Sequence, residues 1–312
     1  MEQGVPPVSV YYQDETITLL HSDALEQARS LPDASVDCIV TSPPYYGLRD
    51  YGNDGQYGLE DTPAAYVETM RALFSELRRV LADEGTLWLN LGDSYSSGSR
   101  TTYADTGKSS GRIGGTRLPS QLPGKNLLGI PWRVAFALQD DGWILRNSII
   151  WHKPNAMPES VSDRLSGRHE NLFMLSKSQR YWFDLDPIRE ESNRVEEYRP
   201  NKWAGADIRR HEGHRGSHAK GRNPGDVWAI NTQPFPGSHF AVMPQELARR
   251  AIVSGCKSGG VVLDPFSGSG TTGLVAQQCG RKYVGIDISA DYLKLSLETR
   301  LQNATLDFGS AA

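Results

Sequence analysis

Val261-Val262-Leu263-Asp264-Pro265-Phe266-Ser267-Gly268-Ser269-Gly270-Thr271-Thr272 is the most legible stretch of this 312-residue chain. Three apolar strand-formers run into an acid, a proline and a glycine-rich turn, and a helix-compatible segment follows Gly270. Strand, tight turn and helix N-terminus in that order make the unit from which doubly wound α/β sheets are assembled. Gly268-Ser-Gly270-Thr-Thr-Gly273 also satisfies G-x-G-x-x-G, and Asp287 ends the next strand-like run, Tyr283 to Ile286. Glycines in such a turn let backbone approach a ligand, and an acid ending the second strand accepts from ribose hydroxyls. The same pattern serves a nicotinamide-binding Rossmann fold, or a strand-to-helix turn without any ligand.

Far upstream, Val36-Asp37-Cys38-Ile39-Val40 reads as another buried strand and ends at Thr41-Ser42-Pro43-Pro44-Tyr45-Tyr46. Two consecutive prolines remove two N–H donors and leave carbonyls that can only accept. The exocyclic amine of a nucleobase is a poor nucleophile because its lone pair is delocalised into the ring. The Ser42 hydroxyl and the Pro43 carbonyl can each accept one of its hydrogens, and Tyr45 can stack on a base swung out of a duplex. Pro43-Pro44-Tyr45-Tyr46 also fits the P-P-x-Y ligand of WW domains, which are exposed polyproline segments. A plain proline-rich turn is the other alternative.

Between and around these segments the α/β rhythm is plain. Thr16–Leu20 is a strand, Ala24–Leu31 a short helix, and Thr62–Leu81 a helix with apolar residues at helical spacing, ended by Gly85. Strands at 86–91 and 143–151 flank a helix from Pro131 to Asp140. After residue 228 a helix at 244–254, the strand at Val261 and a C-terminal helix from Ser289 resume the pattern. The fold class is α/β, a doubly wound and mostly parallel sheet, whose ligands sit beyond the carboxyl ends of the strands. Both polar segments fall at that end.

Composition sets the remaining bounds. A hydrophobic fraction of 38% and a charged fraction of 22% suit a soluble protein, and no apolar run is long enough to span a membrane. Cys38, Cys256 and Cys279 form no CxxC pair and read as reduced thiols of the cytoplasm. The net charge of −4 argues against coating nucleic acid through charge alone, but two stretches are locally basic. One runs from Arg100 to Lys125, across the Gly/Ser/Thr-rich loop 94–124. The other, within 155–228, carries Arg209 and Arg210 with His211, His214 and His218 interleaved. No cysteine accompanies those histidines, so no metal is expected.

Asp264-Pro265-Phe266-Ser267-Gly268-Ser269-Gly270-Thr271-Thr272, taken with Ser42-Pro43-Pro44-Tyr45, resembles the S-adenosylmethionine loop and catalytic motif of DNA amino-methyltransferases. The order matches their permuted (beta) class, with the catalytic motif first. Gly85–Asp93 and Trp143–Asn155 look like further motifs of the same family, and the resemblance covers most of the chain. It implies a circularly permuted, Rossmann-like methyltransferase fold with S-adenosylmethionine as cofactor. The loop with Phe266, Gly268, Ser269, Gly270, Thr271 and Thr272 would hold the methionine end, with Asp264 near its ammonium. Asp287 would pair with the ribose, Asp23 would sit near the adenine amine, and Phe240 matches the motif leading into this half. Tyr46, Lys153, Asn155, Arg209 and Arg210 would meet DNA.

By this resemblance the chain divides into a catalytic half (1–154), a target-recognition region (155–228) and a cofactor half (229–312). Serine at the first motif position points to cytosine and an N4-methylcytosine product in duplex DNA. Adenine N6 remains an alternative, as do a non-catalytic relative and an RNA or protein methyltransferase. Ring-carbon methylation is disfavoured, because it needs a cysteine nucleophile and Cys38 lies inside a strand. A restriction-modification setting is ordinary for the family, and a cognate restriction endonuclease and a homodimer are both compatible with it.

Overall fold

The structure is a computed structural model and describes residues 9–53, 55–96, 122–191, 220–233 and 242–302. In chain order the elements are β1 (Val10–Gln13), β2 (Ile17–His21), α1 (Ala24–Ser30), β3 (Val36–Thr41), α2 (Pro63–Val80) and β4 (Leu81–Leu91). Then come α3 (Ile130–Asp140), β5 (Ile144–His152), β6 (His169–Ser176), β7 (Val227–Ala229) and α4 (Gln245–Gly255). The chain closes with β8 (Val261–Asp264), α5 (Thr271–Gln278), β9 (Lys282–Asp287) and α6 (Ala290–Ser296), which runs on into a π-helical turn, Leu297–Leu301.

All nine described strands join one sheet in the order β1-β2-β9-β8-β3-β4-β6-β5-β7. The run from β2 through β9, β8 and β3 to β4 is parallel, which is the doubly wound arrangement that the alternating elements predict. Strands buried on both faces carry apolar residues at successive positions. In β3, Ile39 packs with α2 and α3 on one face, and Cys38 and Val40 pack with α4 on the other. In β4, Leu87, Leu89 and Leu91 join the first face and Trp88 the second.

The helix over 63–80 forms for the reasons its sequence offers. The Thr62 side chain accepts from the Ala65 amide at 3.1 Å, Pro63 opens the first turn, and Tyr66, Met70, Leu73, Phe74 and Leu77 bury one stripe. It stops at Val80 rather than at Gly85. Leu81 turns to extended backbone and pairs with Val36, so sheet registration ends the helix before the glycine can.

The region 155–228 shows a larger difference. Strand β6 lies within it, and it runs antiparallel between β4 and β5 in the body of the sheet. Its apolar run Leu172–Leu175 is buried on both faces and lacks the alternation by which a half-exposed strand is recognised. Among the described residues no helix is long and apolar enough to cross a membrane.

The topology creates one cleft. Strand β8 leads through α5 to β9 on one side, and β3 leads through α2 to β4 on the other, so the winding reverses between β8 and β3. Connections diverging from adjacent strands leave a crevice at their carboxyl ends. That crevice receives Thr41–Tyr45 from β3 and Asp264–Gly270 from β8.

Candidate active site

Strands β3 and β8 are registered Cys38 to Val262 and Ile39 to Leu263, which brings Thr41 beside Asp264. The Thr41 hydroxyl donates to Asp264 Oδ1 at 2.7 Å, the Phe266 amide to the same oxygen at 3.1 Å, and the Thr272 hydroxyl to Oδ2 at 2.8 Å. This carboxyl is 4% exposed. Burial outweighs the three donors and pushes its pKa up to about 7. It ties the end of β3, the turn after β8 and the first turn of α5 into one unit.

Two glycines shape that turn. Gly268 (φ +49°) and Gly270 (φ +75°) adopt left-handed backbone that side chains with a Cβ resist. A Cβ on Gly268 would meet nothing closer than the Phe266 carbonyl at 3.8 Å, so the backbone there faces open space. A Cβ on Gly270 would lie 2.8 Å from Ser296, so that glycine admits α6 instead. Asp287, ending β9, accepts from the Gly268 amide at 2.7 Å and the Ser289 amide at 2.9 Å, and burial raises its pKa. Thr271 takes a hydrogen bond from Arg300, Phe266 meets Tyr57 edge-on at 5.1 Å, and Ser269 stays partly exposed. Asp23 caps α1 by accepting from Leu25 and Glu26, and its charge adds to the burial that raises the Tyr57 phenol.

Across the crevice, the Tyr66 hydroxyl holds the Pro44 carbonyl at 2.9 Å. The Pro43 carbonyl receives no hydrogen bond from any described residue. Ser42 Oγ lies 3.1 Å from the Tyr45 hydroxyl, and Tyr45 donates to Glu170 Oε2 at 2.7 Å. Asn90 Nδ2 reaches both the Tyr45 oxygen (2.7 Å) and Glu170 Oε2 (2.8 Å), and Lys153 pairs with Glu170 Oε1. The Lys153 ammonium also sits 4.5 Å over the Trp151 ring. The Tyr45 ring lies against Gly92, where a Cβ would be 2.6 Å from it.

Several placements differ from the sequence reading. Tyr46, expected at DNA, is 2% exposed and packs on Tyr66 with ring centroids 5.7 Å apart. It belongs to the core, because the turn after Pro44 sends consecutive tyrosines to opposite sides. Asn155 is exposed, but its amide is paired with Thr232: Thr232 N donates to Oδ1 at 2.8 Å, and Nδ2 donates to the Thr232 carbonyl at 3.1 Å. Lys153 pairs with Glu170, whose other oxygen takes the Tyr45 hydroxyl. Phe240, Arg209, Arg210 and most of loop 94–124 lie outside the described residues.

Three site residues escaped the sequence reading. Asn90 sits inside a quoted motif, but its role needs the β4–β3 pairing. Glu170 enters through β6, and Thr41 read as a strand end. Asp93 has a supporting part, accepting from the Gly129 and Ile130 amides at 3.0 Å each and so capping α3. Cys38 is fully buried and its thiol is pushed well above its ordinary range by that burial, which suits no nucleophile. Among the described residues no cluster of His, Cys, Asp and Glu is arranged to hold a metal.

Comparison with known proteins agrees with this geometry. A family model described as DNA methylase matches residues 36–298, a span that contains both cleft motifs. The chain is 48% identical to the Type II methyltransferase M.Cfr9I of Citrobacter freundii, covering 91% of this chain and 87% of that protein. It is 46% identical to the Type II methyltransferase M.SmaI of Serratia marcescens, with coverages of 91% and 90%. Among solved structures, the PvuII DNA methyltransferase (cytosine-N4-specific) superposes with a TM-score of 0.66 at 18% identity, over 98% of this chain and 92% of that one. That likeness shows a shared Rossmann-like methyltransferase fold. The chain therefore belongs to the DNA methylase family and is a DNA methyltransferase.

Proposed function

We propose that this enzyme transfers a methyl group from S-adenosylmethionine to the exocyclic amine of a cytosine flipped out of duplex DNA, giving N4-methylcytosine, S-adenosylhomocysteine and a proton released to solvent, in a restriction-modification setting. The observation that carries the reading is the Asp264 tie, which holds Ser42-Pro43-Pro44-Tyr45 beside the Gly268–Gly270 turn. An amine-binding motif and a glycine turn open to a ligand meet at one crevice.

The residues present fit the cofactor. Gly268 faces open space, and each Asp287 oxygen accepts one backbone N–H and keeps a lone pair for a ribose hydroxyl. Thr271, Thr272, Ser269 and Phe266 complete that wall, and Asp264, through Thr41, Phe266 and Thr272, fixes the turn beside which the ammonium would lie. Asp23, at the mouth beyond β2, suits the adenine amine. S-adenosylmethionine, when bound, supplies an electrophilic sulfonium methyl.

The chain's own residues prepare the nucleophile. Ser42 Oγ and the uncommitted Pro43 carbonyl accept the two amine hydrogens, which draws the nitrogen lone pair out of conjugation. Tyr66 locks the neighbouring Pro44 carbonyl, so the turn presents Pro43 without rearrangement. Tyr45 forms the wall against which the base rests, and Lys153 stands at the rim for a phosphate or base edge. The parts of 155–228 outside strands β6 and β7, with Arg209 and Arg210, are assigned to target recognition, and the motif order to the permuted class.

Serine at the first motif position supports cytosine, and the PvuII enzyme, a structural relative, is cytosine-N4-specific. The test is nucleoside mass spectrometry on unmethylated bacterial DNA incubated with labelled S-adenosylmethionine. Label is expected in 4-methylcytosine, and Ser42→Ala should lower its rate about 10²-fold, the scale for losing one oriented transition-state contact. Label in 6-methyladenine would overturn the cytosine choice and keep the mechanism. No label on DNA would overturn the reading.

A further inference from the structure

Glu170 lies outside both cleft motifs, yet it terminates the hydrogen-bond chain that begins at Ser42. Its oxygens meet donors only: Lys153 Nζ at Oε1, and Asn90 Nδ2 and the Tyr45 hydroxyl at Oε2. Lys153 and Glu170 are 19% and 15% exposed, so bulk water does not replace these partners. We propose that Glu170 is a positioning residue that fixes the direction of the Ser42 hydroxyl, making Ser42 an acceptor and restricting the site to bases that present an exocyclic amine. This rests on the methyl-transfer reading above.

The argument is a count of hydrogens. A carboxylate offers no proton, so the 2.7 Å bond from Tyr45 to Glu170 uses the single phenolic hydrogen. Burial, then Glu170, raises the Tyr45 pKa well above its ordinary value, so that hydrogen is retained. The Tyr45 oxygen is left with lone pairs. One receives Asn90 Nδ2 at 2.7 Å. Turning the Asn90 amide over would set Oδ1 against the Glu170 carboxylate, so the network itself assigns Nδ2 to this side. The 3.1 Å contact between Tyr45 and Ser42 is therefore made with the Ser42 hydrogen.

With its hydrogen turned inward and Asn90 Nδ2 3.4 Å from its oxygen, Ser42 offers the cleft no hydrogen and keeps a lone pair for it. An amine N–H finds an acceptor there. A ring carbonyl at the same place meets lone pair against lone pair, with Pro43 offering another acceptor and no donor. Polarity thus runs from the base amine to Ser42, to Tyr45, to Glu170, and Lys153 anchors the far end.

Glu170→Gln reverses that end with little change of shape. Lys153 can pair only with the amide oxygen, so the amide NH2 turns toward Tyr45. Asn90 Nδ2, 2.8 Å from the same position, then faces a second donor and turns its amide over. The Tyr45 hydrogen now has Ser42 Oγ and Asn90 Oδ1 as acceptors, and Ser42 is no longer held with its own hydrogen inward. The experiment compares binding of short duplexes in the presence of S-adenosylhomocysteine, after the methylated site has been mapped in labelled DNA. One duplex carries the target base. The other carries its carbonyl counterpart, deoxyuridine for deoxycytidine or deoxyinosine for deoxyadenosine. Wild type should prefer the amine base, and Glu170→Gln should reduce that preference about tenfold, the scale of one unpaired buried polar contact. Any difference in base-pair strength cancels in the ratio between proteins.

The loss of the Lys153 counter-charge should lower the melting temperature, but cofactor affinity should be unchanged. The amine-to-carbonyl ratio is a readout that a merely structural role would not move. An unaltered amine-to-carbonyl ratio in a folded, cofactor-binding Glu170→Gln protein would overturn the proposal and leave the methyl-transfer reading standing. If that variant does not fold, Tyr45→Phe interrupts the same chain and must also lose the preference, and its retention would be equally decisive. Absence of label from wild type is the separate failure of the underlying reading.

Discussion

Asp264→Asn offers a quantitative test of the tie between the two motifs. Burial raises the Asp264 pKa from 3.8 to about 7 in the folded protein. The native state therefore holds this proton more tightly than the unfolded chain, and stability must fall as pH rises between those two values. At about 1.36 kcal/mol per unit, the full penalty is about 4 kcal/mol, of which about 2.5 kcal/mol develops between about pH 5 and about pH 8. Asparagine carries no such titration and can keep the contacts. Its oxygen can replace Oδ1 and accept from Thr41 and Phe266. Its amide can then donate to Thr272, whose own hydroxyl hydrogen turns to the Val40 carbonyl 3.5 Å away. Urea unfolding of ligand-free wild type and variant, at both ends of that range, isolates the difference because all other groups are shared. The variant should gain on wild type by about 2.5 kcal/mol on going to the higher pH. A stability difference that does not change with pH would refute the argument that burial dominates this carboxyl.

Two further substitutions probe residues whose roles the tertiary structure redefined. The Tyr46 hydroxyl is buried without a hydrogen-bond partner among the described residues, so Tyr46→Phe should stabilise the protein by about 1 kcal/mol in chemical denaturation and leave DNA affinity unchanged. A drop in DNA affinity would restore Tyr46 to the interface. Gly92→Ala places a Cβ 2.6 Å from the Tyr45 ring; displacing that ring should lower kcat about 10²-fold while cofactor affinity, measured by calorimetry, stays within about twofold. Unchanged turnover would mean that the Tyr45 position is not critical.

Local patterns carried a large part of this protein in plain view. The strand-turn-helix at 261–272 needs only period, proline and glycine to be read, and the helix at 63–80 needs only its cap and its apolar stripe. The chemistry of Ser42-Pro43-Pro44 follows from what a hydroxyl and a proline carbonyl can accept. Strand β6 was less legible, since four consecutive buried apolar residues carry no alternation. Tyr45 and Tyr46 show the same limit at the scale of two residues. Adjacent and chemically alike, one reaches the cleft and the other fills the core, and composition cannot distinguish them.

The α/β class, the two motifs and the chemistry each can support are legible in the order of residues, because they depend on neighbouring positions and on side-chain type. That Thr41 and Asp264, separated by 223 positions, share a 2.7 Å hydrogen bond emerges from the folded sheet. It alone decided that Glu170 and Lys153 stand behind Ser42. Those relations depend on which strands lie side by side. Strand order is set by packing the whole sheet between its helices, and no local pattern records it.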